Sequence, residues 1–146
     1  MNKAVNMQEK ITIFTDGGSR GNPGIAGAGV YMIDKSNQEI YREYKYLGLK
    51  TNNEAEYLAL NLALTYLKTK IKKPTALLFK LDSKLVVEQM NKNWKIKEAR
   101  LQILAEENWK ILSSLPHSIC EIKYVPREEN KMADMLANQA MDSASI

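Results

Sequence analysis

Two apolar runs in this chain close on an aspartate: ITIFTD (11–16) ends at Asp16 and TALLFKLD (75–82) ends at Asp82. An Asp ahead of glycines ordinarily opens a turn, and Gly17 and Gly18 follow Asp16 directly within GGSRGNPG, which reads as an irregular glycine loop. The repetition is what carries chemistry. If the two runs are neighbouring strands with aligned ends, the carboxylates sit on chains about 4.8 Å apart. Two such groups repel, and each acquires a raised pKa unless a cation lies between them. A hard divalent cation is the matching partner, because it takes oxygen ligands, keeps several waters and shares substrate phosphate oxygens.

A cation site of this kind calls for more acids. The candidates are Glu54 and Glu56 in TNNEAEY (51–57), and Glu128, Glu129 and Asp134 in REENKMADMLAN (127–138). Thr51 and Glu54 have the spacing of a capping box, in which Thr51 caps a helix and Glu54 reaches back to the Thr51 N–H. Glu56 lies about 200° around that helix from Glu54. It is in line with Ala59, Leu60, Ala63 and Leu67, on the side expected to be buried. Asp134 follows the start of the last helix, so it is less readily explained as an N-cap than Glu129 or Asn130.

The elements that must position these acids are legible from periodicity. Residues 11–16, 27–33 and 39–47 read as three strands of an antiparallel meander, the third alternating imperfectly because Arg42 shares a face with Ile40, Tyr44 and Tyr46. From Thr51 the apolar period becomes three and four, which predicts a helix. It stops before Pro74, with the lysines of KTKIKK as a solvated C-terminal end. TALLFKL (75–81) reads as a buried strand. After it come a short amphipathic stretch (Leu85, Val86, Met90) and a loop around Trp94. A helix over 98–112 then faces Leu101, Leu104, Ala105, Trp109 and Leu112 inward. SICEIKYV (118–125) alternates with Cys120, Ile122 and Tyr124 inward. A last helix from about Asn130 turns Ala133, Leu136, Ala137, Ala140 and Met141 to the core. This order, βββαβα(α)βα, makes the first, fourth and fifth strands parallel, and ligands of open α/β sheets bind at the C-terminal strand edge.

Composition narrows the class. The chain has 146 residues, enough for one domain with its own core, and the ordered part is expected over about 9–142, with 1–8 and 143–146 frayed. No apolar run is long enough to span a bilayer, and the start does not read as a secretory signal, so a cytoplasmic protein is expected. Cys120 is the lone cysteine and is read as a buried thiol. Twenty-one Lys and Arg against 17 Asp and Glu give a net charge of +4, which permits a polyanionic partner without demanding one. The glycines of 17–29 do not run as GxGxxG into a helix and no GKS or GKT follows, which disfavours a nucleotide-binding oxidoreductase.

Together TDGGSRGNPG (15–24), TNNEAEY (51–57), LDSKLVVEQ (81–89) and REENKMADMLAN (127–138) resemble type 1 ribonuclease H, in order and over nearly the whole chain. The resemblance implies an α/β, ribonuclease H-like fold. Its five-stranded mixed sheet has the order 3-2-1-4-5, with strands 1–3 antiparallel, strands 4 and 5 parallel to strand 1, and flanking helices. It implies a single domain over 1–146, working as a monomer. The family's catalytic acids map onto Asp16, Glu56, Asp82 and Asp134, which selects Glu56 over Glu54. In the family such acids hold two Mg²⁺ or Mn²⁺ ions, roughly 3.5–4 Å apart in two-metal sites, that hydrolyse the RNA strand of an RNA/DNA hybrid. The products carry 5′-phosphate and 3′-hydroxyl ends. By the same resemblance Asp16 bridges both ions, Glu56 and Asp82 complete one side, and Asp134 holds the other ion more loosely. Asn22, Asn52 and Asn53 are expected at the hybrid's minor groove, where 2′-hydroxyls distinguish RNA from DNA, and Gly17 is expected among the substrate-binding residues. Thr51 is expected to help seat a DNA-strand phosphate.

The chain also departs from the family pattern. Many members carry a histidine on the loop before the last acid, whereas here that stretch is YVPREEN (124–130), and the sole histidine, His117, precedes the fifth strand. Arg127 is expected either to contact a phosphate or to form a surface ion pair with a neighbouring Glu. The long basic protrusion of some members is missing; only Trp94 among Lys92, Lys95 and Lys97 stands in its place. The rival expectations are a noncatalytic nucleic-acid-binding module on the same fold, or a nuclease acting chiefly on double-stranded RNA.

Overall fold

The computed structural model describes residues 9–144. The expectation of fraying at 1–8 and 145–146 lies outside the described residues, while the last helix extends to Ser143. The elements in order are β1 (Lys10–Gly21), β2 (Gly24–Asp34), β3 (Glu39–Lys50), α1 (Asn52–Lys70), β4 (Thr75–Leu81), α2 (Lys84–Met90), α3 (Ala99–Ser114), β5 (His117–Tyr124), a 3₁₀ turn (Arg127–Glu129) and α4 (Lys131–Ser143). They form one mixed sheet of order β3-β2-β1-β4-β5. β1 to β3 are antiparallel, and β1, β4 and β5 run parallel. Among the described residues no helix is long and apolar enough to cross a membrane.

One expectation about β1 fails in an informative way. The strand does not stop at Asp16, and the glycines after it are not an irregular loop. The ladder with β2 continues from Asp16↔Gly29 to Gly21↔Gly24, so β2 begins three residues earlier than its β-branched content suggested. What ends at Asp16 is the other ladder, since the pairing of β1 with β4 stops at Thr15↔Leu81. Glycine is depleted in strands because it offers no side chain to pack, so the run 17–21 reads as loop until its hairpin partner is in view. Asp16 therefore lies in mid-strand, at the point where one side of β1 loses its neighbour.

The two faces of the sheet are covered differently. α1 starts at a complete capping box: Thr51 Oγ1 accepts from the Glu54 N–H at 3.1 Å, and Glu54 Oε1 accepts from the Thr51 N–H at 2.9 Å. Its inward side buries Ala59, Leu60, Ala63, Leu64 and Leu67 against Ile13, Val30, Met32, Leu77 and Phe79, where each fully buried large side chain contributes roughly 1.5–3 kcal/mol. α4 packs on the opposite face and comes very close: a Cβ on Gly29 would lie 2.2 Å from the Ala133 carbonyl oxygen. Opposite these β2 positions stand the residues that broke the alternation of β3, in the pairs Tyr46↔Gly27, Tyr44↔Gly29 and Arg42↔Tyr31. Directly opposed residues share a face, so Arg42, Tyr44 and Tyr46 flank α4. Tyr41 turns the other way and stacks on Tyr66 of α1 at 3.5 Å between ring centroids.

Several residues are less buried than their periodicity predicts. Tyr124 is largely open, with Lys84 Nζ 5.7 Å from its ring centre, because β5 is an edge strand and the core instead receives Val125. Trp109 is half-buried and donates Nε1–H to the Met90 carbonyl at 2.9 Å. Cys120 is half-buried, and its thiol pKa is raised by burial. The lysines of KTKIKK are solvent-exposed and only Ile71 is buried. His117 is exposed, although it is the first residue of β5 rather than part of a preceding turn.

Candidate active site

Three distant segments bring carboxylates together at the open end of the β1–β4 ladder. Asp16 comes from β1 and is only 7% exposed; Asp82 follows the last residue of β4; Glu56 comes from the first turns of α1. One oxygen from each lies within 4.8 Å of the other two. Glu56 can reach because α1 crosses directly over β1: a Cβ on Gly17 would fall 2.1 Å from the Ala55 carbonyl oxygen, so the crossing tolerates glycine alone. At that crossing the Gly17 N–H donates to Glu56 Oε1 at 3.0 Å, fixing the side chain. Glu54, by contrast, is occupied by the cap.

Asp134, from the first turn of α4, stands beside this trio rather than inside it. It is near enough to Asp16 to share a hydrogen bond, which helps raise the Asp16 pKa. Burial is the largest cause of that rise, followed by the charges of Glu56 and Asp82. Glu56 is also raised, by burial and then by Asp82, against the opposing effect of the Gly17 N–H. Two acids pushed toward protonation by burial and by each other are what a cation-binding carboxylate cluster looks like before a cation offsets the charge.

Arg127 is placed differently from the expected pairing with a neighbouring Glu. Its Nη2 lies 3.3 Å from Asp134 Oδ1, and the Arg side chain is 76% exposed. The remaining expected contacts surround the acids. Gly17, Asn52, Asn53 and Arg127 line the same cleft of about 440 Å³ as Asp16, Glu56, Asp82 and Asp134. Asn22 lies one bond behind: its Oδ1 accepts from the Asn52 N–H at 3.0 Å, while Asn52 Oδ1 accepts from the Ser19 N–H at 2.9 Å. Thr51 is the N-cap of α1. Trp94 is 46% exposed.

The cleft includes residues that sequence reasoning passed over. Ser83 lines it while capping α2, its Oγ accepting from the Val86 N–H at 3.2 Å; a Ser directly after a candidate ligand and before a helix was a readable signal. Arg20 and Asn138 also line it. Asn138 follows Asp134 by one helical turn, which is legible only once α4 is known to face the cleft.

Comparison with known proteins agrees with this architecture. Residues 14–140 match the family described as reverse transcriptase-like. A bifunctional protein of Mycobacterium tuberculosis is 40% identical over 137 residues, covering 93% of this chain and 36% of that protein, so the chain spans little more than a third of that relative's length. The ribonuclease H of Ruthia magnifica is 35% identical over 93% of this chain and 98% of its own length. A compost-derived ribonuclease H1, solved in complex with an RNA/DNA hybrid, superposes with a TM-score of 0.87 at 37% identity, covering 93% of this chain and 99% of that one. With the sheet order, the crossing at Gly17 and the converging acids, these matches show that the chain belongs to the reverse transcriptase-like family and, within it, to the type 1 ribonucleases H.

Proposed function

We propose that this chain is a divalent-metal-dependent endoribonuclease that hydrolyses the RNA strand of RNA/DNA hybrids, leaving 5′-phosphate and 3′-hydroxyl ends. It acts as a single cytoplasmic, monomeric unit over 1–146. The observation that carries the reading is the trio of carboxylate oxygens, drawn from β1, α1 and the end of β4 and lying within 4.8 Å of one another. The donor set fits a hard cation: it is all oxygen, and burial and mutual repulsion raise the pKa of both Asp16 and Glu56. Asp16, Glu56, Asp82 and Asp134 are the residues that would hold the metal. Two bound Mg²⁺ or Mn²⁺ ions would supply a water of lowered pKa for attack and positive charge at the departing 3′ oxygen.

The protein's own groups prepare that chemistry. Gly17 holds Glu56 through its N–H. The Thr51–Glu54 box fixes the start of α1, so Glu56 does not move with a fraying end. Asn22 and Asn52 each use the side-chain carbonyl to tie the β1–β2 hairpin to α1, and keep their NH₂ donors for the minor groove, with Asn53 and Gly17 beside them. Thr51 seats a DNA-strand phosphate. The exposed guanidinium of Arg127, the only cation on the 3₁₀ turn where many relatives have a histidine, is placed to meet a phosphate of the RNA strand.

The test is a parallel assay of labelled RNA/DNA hybrid, double-stranded RNA and single-stranded RNA with Mg²⁺ or Mn²⁺. Cleavage is expected on the hybrid's RNA strand, and Asp16→Asn is expected to abolish it. Binding of hybrid without cleavage in either metal would instead mark a noncatalytic module, and preferential cutting of double-stranded RNA would reassign the substrate.

A further inference from the structure

Asp16 is held by burial and Glu56 by a main-chain N–H, whereas Asp134 is half-buried on the first turn of α4 with like charge in front of it. Repulsion from Asp16 and Glu56 would drive its carboxylate outward. Two donors oppose that on a single oxygen: Asp134 Oδ1 lies 3.3 Å from Arg127 Nη2 and 3.4 Å from Asn138 Nδ2. Asn138 Nδ2 also donates to the Asp134 main-chain carbonyl at 3.0 Å, locking the amide to the turn beneath the carboxylate. On its other side Asn138 Oδ1 accepts from Arg20 Nη2 at 3.3 Å, and Arg20 is anchored to Asp142 at 2.7 Å. Asp134, Asn138 and Asp142 recur every fourth residue, so they form one stripe along α4, with Arg20 at the end of β1 laid beside it.

The chemistry of this stripe is directional. An amide is the neutral side chain that accepts from a guanidinium at one end and donates to a carboxylate at the other, so the two neighbours of Asn138 define which way it faces. Arg127 is the weaker restraint, because its exposure leaves it free to leave Asp134 for a substrate phosphate.

We propose that Asn138, oriented by Arg20, is a positioning residue that holds the Asp134 carboxylate toward Asp16 for metal binding. The proposal rests on the metal-dependent reading above. Partners that orient a metal ligand from behind typically contribute about 10–100-fold in metal affinity, and the long 3.4 Å contact places Asn138 at the lower end of that range.

The test titrates the full chain with Mn²⁺ alone by calorimetry, and measures the Mn²⁺ concentration for half-maximal hybrid cleavage. Asn138→Ala is expected to weaken Mn²⁺ binding about tenfold and to raise the Mn²⁺ requirement by a similar factor, with the KM for hybrid unchanged. In an Asp134→Asn background the same change should add nothing, because Asn138 acts through that carboxylate. Arg20→Ala, at an exposed ion pair that the fold does not need, should move both readings in the same direction by less, and it decides the matter if Asn138→Ala misfolds. A normal Mn²⁺ isotherm for a folded Asn138→Ala, or losses that add fully in the double variant, would overturn the positioning role and leave the metal-dependent reading standing. Failure of the unaltered chain to bind Mn²⁺ would overturn both.

Discussion

The helices on the two faces of the sheet each deliver one acid to the cleft, and they do so by opposite means. α1 begins at a complete capping box and crosses β1 so closely that its backbone excludes a Cβ at Gly17. Glu56 is held there by a hydrogen bond whose donor is the Gly17 main-chain N–H. α4 begins at Asn130 with no side-chain cap on the helix; the Asn130 amide instead donates to the Thr15 carbonyl of β1 at 2.9 Å. Its acid, Asp134, has a 30% exposed side chain and is restrained by side chains alone. On the proposed metal-dependent reading, the α1 end supplies a fixed ligand and the α4 end an adjustable one. A movable fourth carboxylate would then let the charge balance change, as a charged substrate enters and charged products leave, without unfolding the other three.

The largest expected effect tests that contrast directly. Glu56→Gln and Asp134→Asn remove the same charge, yet the first removes it from a fixed position. Metal-supplied charge stabilisation is worth several kcal/mol, so Glu56→Gln is expected to lower hybrid cleavage by roughly three decades. Raised metal should not rescue it. Asp134→Asn is expected to lose roughly one to two decades and to recover part of that with tenfold more Mn²⁺. Steady-state rates across a Mn²⁺ series would separate the two; equal losses with equal rescue would erase the distinction between the helix ends.

The same contrast explains what could be read from the chain. Both aspartates of the trio were legible because each ends a run with strand composition, and Glu56 was legible because Glu54 had a cap to make while Glu56 lined up with Ala59, Leu60 and Ala63. The α1 end is written in local rules, namely a cap, a period and a breaker at Pro74. The α4 end is written in tertiary contacts. That β1 continues past Asp16 depends on Gly17 to Gly21 having partners on β2, and that Arg127 meets Asp134 depends on the 3₁₀ turn carrying it back toward α4. Tyr124 points to the edge rather than the core for the same reason: strand alternation is a local property, but which strand lies at the rim is not.

A second expectation concerns pH and sharpens where the strain resides. Asp16 and Glu56 have folded pKa values raised above their unfolded values, which lie near about 4. Below that pH the acids are protonated in both states and the site costs nothing. As pH rises, the unfolded chain releases these protons first, so the folded state holds more of them and stability falls through neutrality. In EDTA, the Tm should therefore drop between pH 5 and 8. Asp16→Asn should flatten the slope and raise the Tm at pH 8 by roughly 5 °C, and Glu56→Gln should flatten it more than Asp134→Asn does. Millimolar Mg²⁺ should remove most of the drop by supplying the missing positive charge. A Tm that rises over this interval without metal would mean that the acids are not crowded in solution.

The smallest effect tests the cap. Replacing an N-cap Thr by Ala costs about 1 kcal/mol, so Thr51→Ala should lower the Tm by roughly 3 °C. Thr51 also lies where a DNA-strand phosphate is proposed to sit, so the KM for hybrid should rise as well. Thr51→Ser separates the two roles, because Ser keeps the hydroxyl that accepts from the Glu54 N–H and is at least as good an N-cap. The Tm should then return to its original value. If the KM returns with it, the hydroxyl serves helix and substrate alike; a KM that stays high with the Tm restored would show that the Thr methyl shapes the phosphate seat. If Thr51→Ser leaves the Tm as low and the KM as high as Thr51→Ala does, the start of α1 depends on packing around the methyl rather than on the capping bond.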